Sequence, residues 1–252
     1  MTERLPTHGR VQCAICHEGK TYGFDQTVTG DGDWRITNNP LAWGCSEPEV
    51  VVLGFSKGPT QAGALASAAH DQIAFKGGRT NLAKILHHLR LIERPDSTIV
   101  DQAISDRSGK FHFGSLVRCT VERQDARKGW TGTGGGMLDR FVETDFGRLV
   151  VTSCAKAHLS RLPARTRVVI MLGLGSNLGY VRAARAAIEQ ARPGRWRTLS
   201  EVAYADEQIV VVHTEHFQSQ GALLPNWLSE DRHPRGRWGL MAREAVARAM
   251  AA

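Results

Sequence analysis

The chain has 252 residues, 42% hydrophobic and 23% charged, which suffices to bury a sizeable core as one α/β domain. No apolar run reaches the roughly 20 residues of a membrane-spanning helix. The start, Met1-Thr2-Glu3-Arg4-Leu5-Pro6, has no apolar signal core and carries an acid, so a cytoplasmic protein is expected rather than a secreted one. The net charge of +7 points to a polyanionic partner, with nucleic acid the leading candidate and a solvated basic surface the alternative.

Residues 1–48 are rich in Gly, Asn, Asp and Pro and read as an irregular segment. This segment holds Cys13, Cys16 and Cys45 and would need a staple to the folded domain over 49–252. Glu49 to Phe55 is a short apolar run entering Gly54, the pattern of a buried parallel strand. After the loop Ser56 to Gln61, residues 61–70 are Ala-rich and helical in pattern. Thr80 to Leu89 is an amphipathic helix with Thr80 or Asn81 as its cap. Phe111 to Val117 is a second strand, and residues 124–137, with Gly129, Gly132, Gly134, Gly135 and Gly136, read as a flexible loop. Val150 to Leu162 is helical in pattern, and Arg167 to Gly173 is a third strand. Leu178 to Ala191 is a further helix, stopped by Pro193-Gly194. Gln208 to His213 is a fourth strand, and 239–252 a terminal helix.

This alternation predicts a single-domain, three-layer α/β/α fold with a mostly parallel four-stranded central sheet. Ligands of such sheets bind beyond the carboxyl ends of the strands. That directs attention to Ser56–Gln61, Ser115–Cys119, Gly173–Asn177 and His213–Gln220.

Gly54-Phe55-Ser56-Lys57-Gly58-Pro59-Thr60 is a turn that would present backbone N–H groups to an anion, though it is neither a Walker loop nor a dinucleotide fingerprint. Gly173-Leu174-Gly175-Ser176-Asn177 does not complete a nucleophile elbow. It reads as a tight turn that caps the next helix through Ser176 or Asn177. His213-Thr214-Glu215-His216 lacks the spacing of a zinc protease helix. A histidine beyond a strand end can instead donate a hydrogen bond to a leaving group.

Five cysteines in an unsecreted chain argue against a disulfide scaffold. A close pair, Cys13 and Cys16, with two distant singles, Cys119 and Cys154, suits a 4Fe–4S cluster that staples the N-terminus onto the core. Zinc or an empty site is the alternative. Cys45 is the spare, although it would also group with Cys13 and Cys16.

In order and spacing these pieces resemble the uracil-DNA glycosylase superfamily, specifically its iron–sulfur-bearing bacterial and archaeal branches, over nearly the whole chain. Cys13 and Cys16 match the N-terminal cysteines of those branches, and Cys119 and Cys154 the later two. Val51 to Gly58 falls at their first motif, a strand followed by Gly-x-x-Pro-Gly. Phe75-Lys76-Gly77-Gly78 resembles their Phe-x-Gly segment, Phe113 to Cys119 their Thr-Asn-x-x-Lys-Cys strand, and His216-Phe217-Gln218-Ser219 their His-Pro-Ser motif.

The resemblance implies an enzyme that flips a base from DNA and hydrolyses its glycosidic bond. It implies Phe75 as the stacking residue, Phe55 as a second aromatic wall, and Lys57, Gly58, Ser56 and Ser115 at the base edge. His216 would stabilise the departing base anion, and Asp71 would hold the attacking water, with Thr60 and Gln61 as alternatives. Gln220 to Pro225 resembles the loop that drives an apolar wedge, Leu223 or Leu224, into the minor groove. Arg235, in the stretch Arg232 to Arg237, would contact phosphates. A monomer acting on uracil-containing or otherwise deaminated DNA is expected, with no membrane partner.

The departures are specific. The family's motif carboxylate or amide is replaced at Phe55 and Ser56, its proline by Lys57, its base-reading Asn by Ser115, and its His-Pro-Ser by His-Phe-Gln-Ser. These substitutions leave a second expectation open, a non-catalytic or weakly catalytic binder of damaged or abasic DNA.

Overall fold

A computed structural model describes residues 4–20, 23–132, 137–219 and 221–251. Met1 to Glu3, Gly134 to Gly136 of the glycine-rich stretch, and Gln220 at the start of the wedge loop lie outside the described residues. The strands are β1 (Gly9–Arg10), β2 (Val28–Asp31), β3 (Trp34–Thr37), β4 (Leu41–Gly44), β5 (Val50–Gly54), β6 (Phe111–Ser115), β7 (Thr120–Asp125), β8 (Gly129–Gly132), β9 (Val168–Leu172), β10 (Arg197–Ser200), β11 (Ala203–Ala205) and β12 (Val210–Thr214). The α-helices are α1 (Pro59–Ala64), α2 (His70–Ile73), α3 (Arg79–His88), α4 (Ser97–Ser105), α5 (Leu138–Phe141), α6 (Asp145–Leu159), α7 (Gly179–Ala191), α8 (Leu223–Trp227) and α9 (Pro234–Ala251).

The chain forms a single α/β domain, but the main sheet is larger than expected. Among the described residues it has eight strands in the order β1-β4-β6-β5-β9-β12-β11-β10. The four expected strands are its centre, where β5 runs parallel to both β6 and β9, and β9 parallel to β12. The flanks are antiparallel: β4 on β6, β1 on β4, β11 on β12 and β10 on β11. The sheet is therefore mixed, which corrects the mostly parallel four-stranded expectation. The central strands read clearly because β5 and β9 are buried along their whole length and rich in β-branched residues. The flanking strands are two to four residues long, too short for an alternation to stand out.

Side chains alternate across the sheet with the period of two that a pleat imposes. Val50, Val52, Ile170, Leu172 and Val212 pack with Leu82, Ile85, Val100 and Val246 of α3, α4 and α9. Val51, Leu53, Val169, Met171 and Val211 pack on the other face with Val150, Ala155, Tyr180 and Ile188 of α6 and α7. Helices thus cover both faces.

The N-terminal segment is more ordered than its composition suggests. β2 and β3 form a hairpin with Asp31 opposite Trp34, joined by Gly32-Asp33, and Gly32 has φ 56°, the positive φ that a glycine at the first position of a two-residue turn supplies. Trp34 and Ile36 are buried on one face. This hairpin joins β7 and β8 in a second antiparallel sheet, β2-β3-β7-β8. The strand β8 corrects part of the loop expected over 124–137; its sequence, Gly-Trp-Thr-Gly, has too little apolar content to announce a strand.

Two expected caps are also corrected. α3 begins after Gly78 with no side-chain cap, and Asn81 instead donates from Nδ2 to the Phe217 carbonyl at 3.0 Å. Ser176 and Asn177 lie in a short 3-10 turn without a capping bond, where Asn177 and Leu178 take left-handed backbone angles. Side-chain caps do start α4, where Asp96 accepts from Thr98 N at 2.9 Å, and α6, where Thr144 accepts from Gly147 N at 3.0 Å.

Candidate active cleft and cysteine cavity

The four parallel strands end at one level. Gly54 pairs with Ser115, Leu53 with Met171, and Thr214 with Leu172. From β5 the chain passes outward to β6 and then back across to β9, so a topological switch point, where ligands bind in such sheets, falls between β5 and β9. A cleft lies there. Its lining includes Gly54, Phe55, Ser56, Gly58 and Gln61 after β5, Gly114 and Ser115 from β6, Leu172 from β9, and His216, Phe217 and Gln218 after β12. Phe75 and Trp43 complete it. Six residues that the sequence singled out, Phe55, Ser56, Gly58, Phe75, Ser115 and His216, thus meet in one place. The free volume is about 50 Å³, against roughly 300–1,000 Å³ for pockets that take drug-sized ligands.

The aromatic wall is rigid. The Phe75 ring meets Phe113 and Phe217 edge-on, with centroids 5.7 and 5.2 Å away, an arrangement that the ring quadrupoles favour. Phe75 has φ 51°, an uncommon conformation for a bulky residue. Gly78 packs so closely under the Phe217 ring that a Cβ there would overlap it.

His216 sits on a loop held from three directions. Glu215, itself buried, accepts from Ser219 Oγ at 2.7 Å and from His216 N at 3.2 Å, and pairs with Arg235 of α9. Asn81 of α3 holds the Phe217 carbonyl from the other side. The His216 Nδ1 accepts from Gln218 N at 3.1 Å, which leaves Nε2 as the N–H of the neutral ring. Burial lowers its pKa to about 4, only partly opposed by Glu215. At neutral pH the ring is an uncharged donor. Ser56 Oγ accepts from Val121 N at 3.2 Å, tying the turn after β5 to β7.

Other expected site residues lie elsewhere. Lys57 is 1% exposed and turns away from the cleft, its Nζ donating to the Arg118 carbonyl. Asp71, on α2, is not in the cleft lining; its Oδ1 lies 2.9 Å from His8 Nε2. Leu224 is buried in the core, whereas its neighbour Leu223 is exposed at the start of α8. Arg235 is engaged with Glu215 and stacks over Trp238.

The cysteine set comes together on the far side of the same turn. Cys13, Cys16, Cys119 and Cys154 line one small enclosed cavity with His17, Val117 and Arg118. Cys154 lies in the middle of α6, and its Sγ accepts from Arg118 N at 3.4 Å. Cys119 Sγ is 3.7 Å from His17 Nε2. No three of these sulfurs lie within 4.8 Å of one another. Burial, reinforced by the neighbouring sulfurs, pushes the Cys16 thiol up, and burial takes Cys154 to about 12. Cys45 stays apart, with its Sγ accepting from Glu47 N at 3.3 Å. Burial lowers Lys57 to about 8 and Arg118 to about 10, against the raising effect of the nearby sulfurs.

His8, His70 and Asp71 bring three ligand-type atoms within 4.8 Å. The His8 Nδ1 accepts from Gly44 N at 3.3 Å, so its Nε2 carries the hydrogen and is not free to ligate a metal; Asp71 Oδ1, 2.9 Å away, has no hydrogen-bond partner. A larger groove of about 410 Å³ lies between α6 and α7, lined largely by apolar residues with no acid, cysteine or histidine.

Sequence reasoning missed Trp43, which belongs to a segment read as irregular, and the supporting roles of Asn81, Glu215 and Arg118. The only signal for Glu215 was its place beside His216 after an apolar strand. The chain matches no protein-family model and none of the curated proteins with which it was compared.

Proposed function

We propose that the chain is a DNA glycosylase of the uracil-DNA glycosylase superfamily, which flips uracil or another deaminated base out of DNA and hydrolyses the bond to its sugar. The observation that carries this reading is the convergence of Phe55, Ser56, Gly58, Phe75, Ser115 and His216 on one cleft at the ends of the parallel strands. Each supplies something that a flipped base needs: aromatic walls, hydroxyl and backbone groups at the edge, and a neutral donor for the leaving anion. The His216 Nε2–H would answer the negative charge that builds on the base as the bond lengthens. A dissociative cleavage depends more on such charge stabilisation than on a strong base. Gln61 lines the cleft where Asp71 does not, and is the better anchor for the water. A base needs more room than the cleft offers, so the cleft has to widen for it to enter.

On DNA, Leu223 is the wedge, being exposed where Leu224 is buried, and the net charge of +7 favours the phosphate backbone. No helix among the described residues is long and apolar enough to cross a membrane.

The donor set around the cysteine cavity fits an anionic metal–thiolate group. Four cysteines share one cavity wall with an Arg118 whose Nε has no hydrogen-bond partner. We take that group to be a 4Fe–4S cluster held by Cys13, Cys16, Cys119 and Cys154, with zinc as the alternative. Such a cluster supplies a cross-link and no step of base removal.

A second reading, a binder of damaged or abasic DNA, is favoured by one observation: among the described residues no carboxylate lines the cleft. Incubation with uracil- and hypoxanthine-containing oligonucleotides, followed by alkali to break abasic sites, separates the two. Strand breaks at the modified base support the enzyme. Binding without breaks supports the second reading, and the absence of both binding and breaks overturns the two readings together.

A further inference from the structure

The Ser56-Lys57-Gly58 turn faces two ways. Ser56 and Gly58 line the cleft. Lys57, between them, runs to the opposite side and reaches the carbonyl of Arg118, the residue before Cys119. Lys57 and Arg118 are 1% and 2% exposed. A buried cation is costly unless an opposite charge faces it. Among the described residues, neither pairs with a carboxylate. Their partners are neutral: the Arg118 carbonyl for Lys57, and the Leu41 carbonyl at 3.3 Å and the His112 ring at 3.2 Å for Arg118. The Nε of Arg118 has no hydrogen-bond partner at all. What both cations do face is sulfur. Cys119 and Cys154 lie near Lys57, and Cys154 and Cys13 near Arg118.

We propose that Lys57 and Arg118 are the built-in counter-charges of an anionic metal–thiolate centre held by Cys13, Cys16, Cys119 and Cys154. The inference rests on the reading that these cysteines bind metal. Four thiolates around a doubly charged core, whether a 4Fe–4S core or one zinc ion, leave a dianion. Two cations balance it, and no carboxylate is among the residues lining the cavity. The backbone N–H of Arg118 adds a hydrogen bond to Cys154 Sγ, so one residue serves the centre through main chain and side chain. Lys57 also makes the centre a neighbour of the cleft, because its own turn carries Ser56 and Gly58. Both are positioning residues: they act on the centre and do not touch substrate.

The test uses the full chain purified without oxygen, with iron, acid-labile sulfide and zinc measured per chain. Lys57→Met and Arg118→Met remove the charge, the first at nearly the same side-chain length and the second with a shorter chain; Lys57→Arg keeps the charge. Each is checked for folding by circular dichroism. The first two are expected to release metal to a chelator about 10–100-fold faster than the wild type, the usual size of an outer-shell effect. If the metal is iron, their midpoint potentials move negative, because removing a nearby positive charge disfavours the added electron. Lys57→Arg is expected to retain the wild-type release rate. Unchanged release and potential in both neutral variants would overturn the counter-charge assignment, as would a Lys57→Arg protein that loses metal as readily as Lys57→Met. If Arg118→Met does not fold, Lys57→Met decides alone, since its Nζ makes a single hydrogen bond. A wild-type chain that holds neither metal, and takes up neither from iron with sulfide nor from zinc, overturns the metal reading itself.

Discussion

The two sides of the Ser56-Lys57-Gly58 turn treat charge in opposite ways. On the cleft side the ionisable group is His216, and burial keeps it neutral by pulling its pKa from 6.5 to about 4. Among the described residues, no lysine, arginine or carboxylate lines that cleft. On the other side Lys57 and Arg118 remain charged at neutral pH, at about 8 and about 10, while fully buried beside four thiols. A neutral donor suits a charge that appears only during a reaction, because it costs nothing to hold in the resting protein. Fixed buried cations suit a charge that is always there. On the function proposed above, the contrast would place transient chemistry in the cleft and permanent binding in the cavity, though the two are separated by one residue of chain.

The harshest way to break this division is to remove the centre. A bound structural metal contributes its binding energy to folding, and here it would tie the Cys13–Cys16 segment to α6. If stripping the metal costs roughly 5 kcal/mol, the thermal midpoint falls by roughly 10–20 °C for a chain of this size. Calorimetry with and without a strong chelator, and on Cys154→Ser, measures this; identical midpoints would mean that the cavity holds no staple.

The next largest effect belongs to the cleft. His216→Ala is expected to lower uracil excision about 100- to 1000-fold, the usual size for a lost charge-stabilising donor, with metal content unchanged. Wild-type cleavage by that variant would remove His216 from the chemistry. The same histidine fixes a pH dependence. Its folded pKa of about 4 lies below the ordinary 6.5, and burial lowers His213 to about 4 and His112 to about 3. The unfolded chain therefore binds protons that the folded chain refuses. Stability is full above about pH 6.5 and falls as pH drops toward 4. The excision rate should pass level through 6.5 and bend near 4. A bend near 6.5, absent from His216→Ala, would mean an exposed, titrating ring.

How much of this was legible in the sequence follows the same physics. The centre of the sheet was readable because Val50 to Leu53 and Val168 to Leu172 are buried on both faces and leave uninterrupted apolar runs. The flanking strands were not, since Leu41–Gly44 and Ala203–Ala205 are too short to show a period. The Gly32-Asp33 turn was a hairpin signal hidden in a polar stretch. Among site residues, those following strands were found because strand ends place them. Lys57 was misread as a cleft residue because neighbours in an extended turn point to opposite sides, and sequence does not say which. Asp71 was chosen for its carboxylate, and only the fold reveals that α2 carries it toward His8. Asn81 looked like a cap because its residue type favours caps; its true partner is 136 positions away.

That long-range bond gives the smallest effect and the finest test of the division. Asn81 holds the Phe217 carbonyl at 3.0 Å, one residue beyond His216, and a side-chain hydrogen bond of this kind contributes about 0.5–1.5 kcal/mol. Asn81→Ala removes the donor without touching the cleft lining or the cysteines. The loop would remain attached through Glu215 to Ser219 and Arg235, so the expected result is partial: a fall of about 2- to 10-fold in kcat, matching the energy of one bond. KM should move little, because Phe55, Phe75 and Ser115 stay in place. Metal content and release should equal the wild type, since α3 contributes nothing to the cysteine cavity. A variant that loses metal together with activity would show that the His216 loop and the centre are coupled through the fold, and the two sides of the turn would then have to be treated as one site.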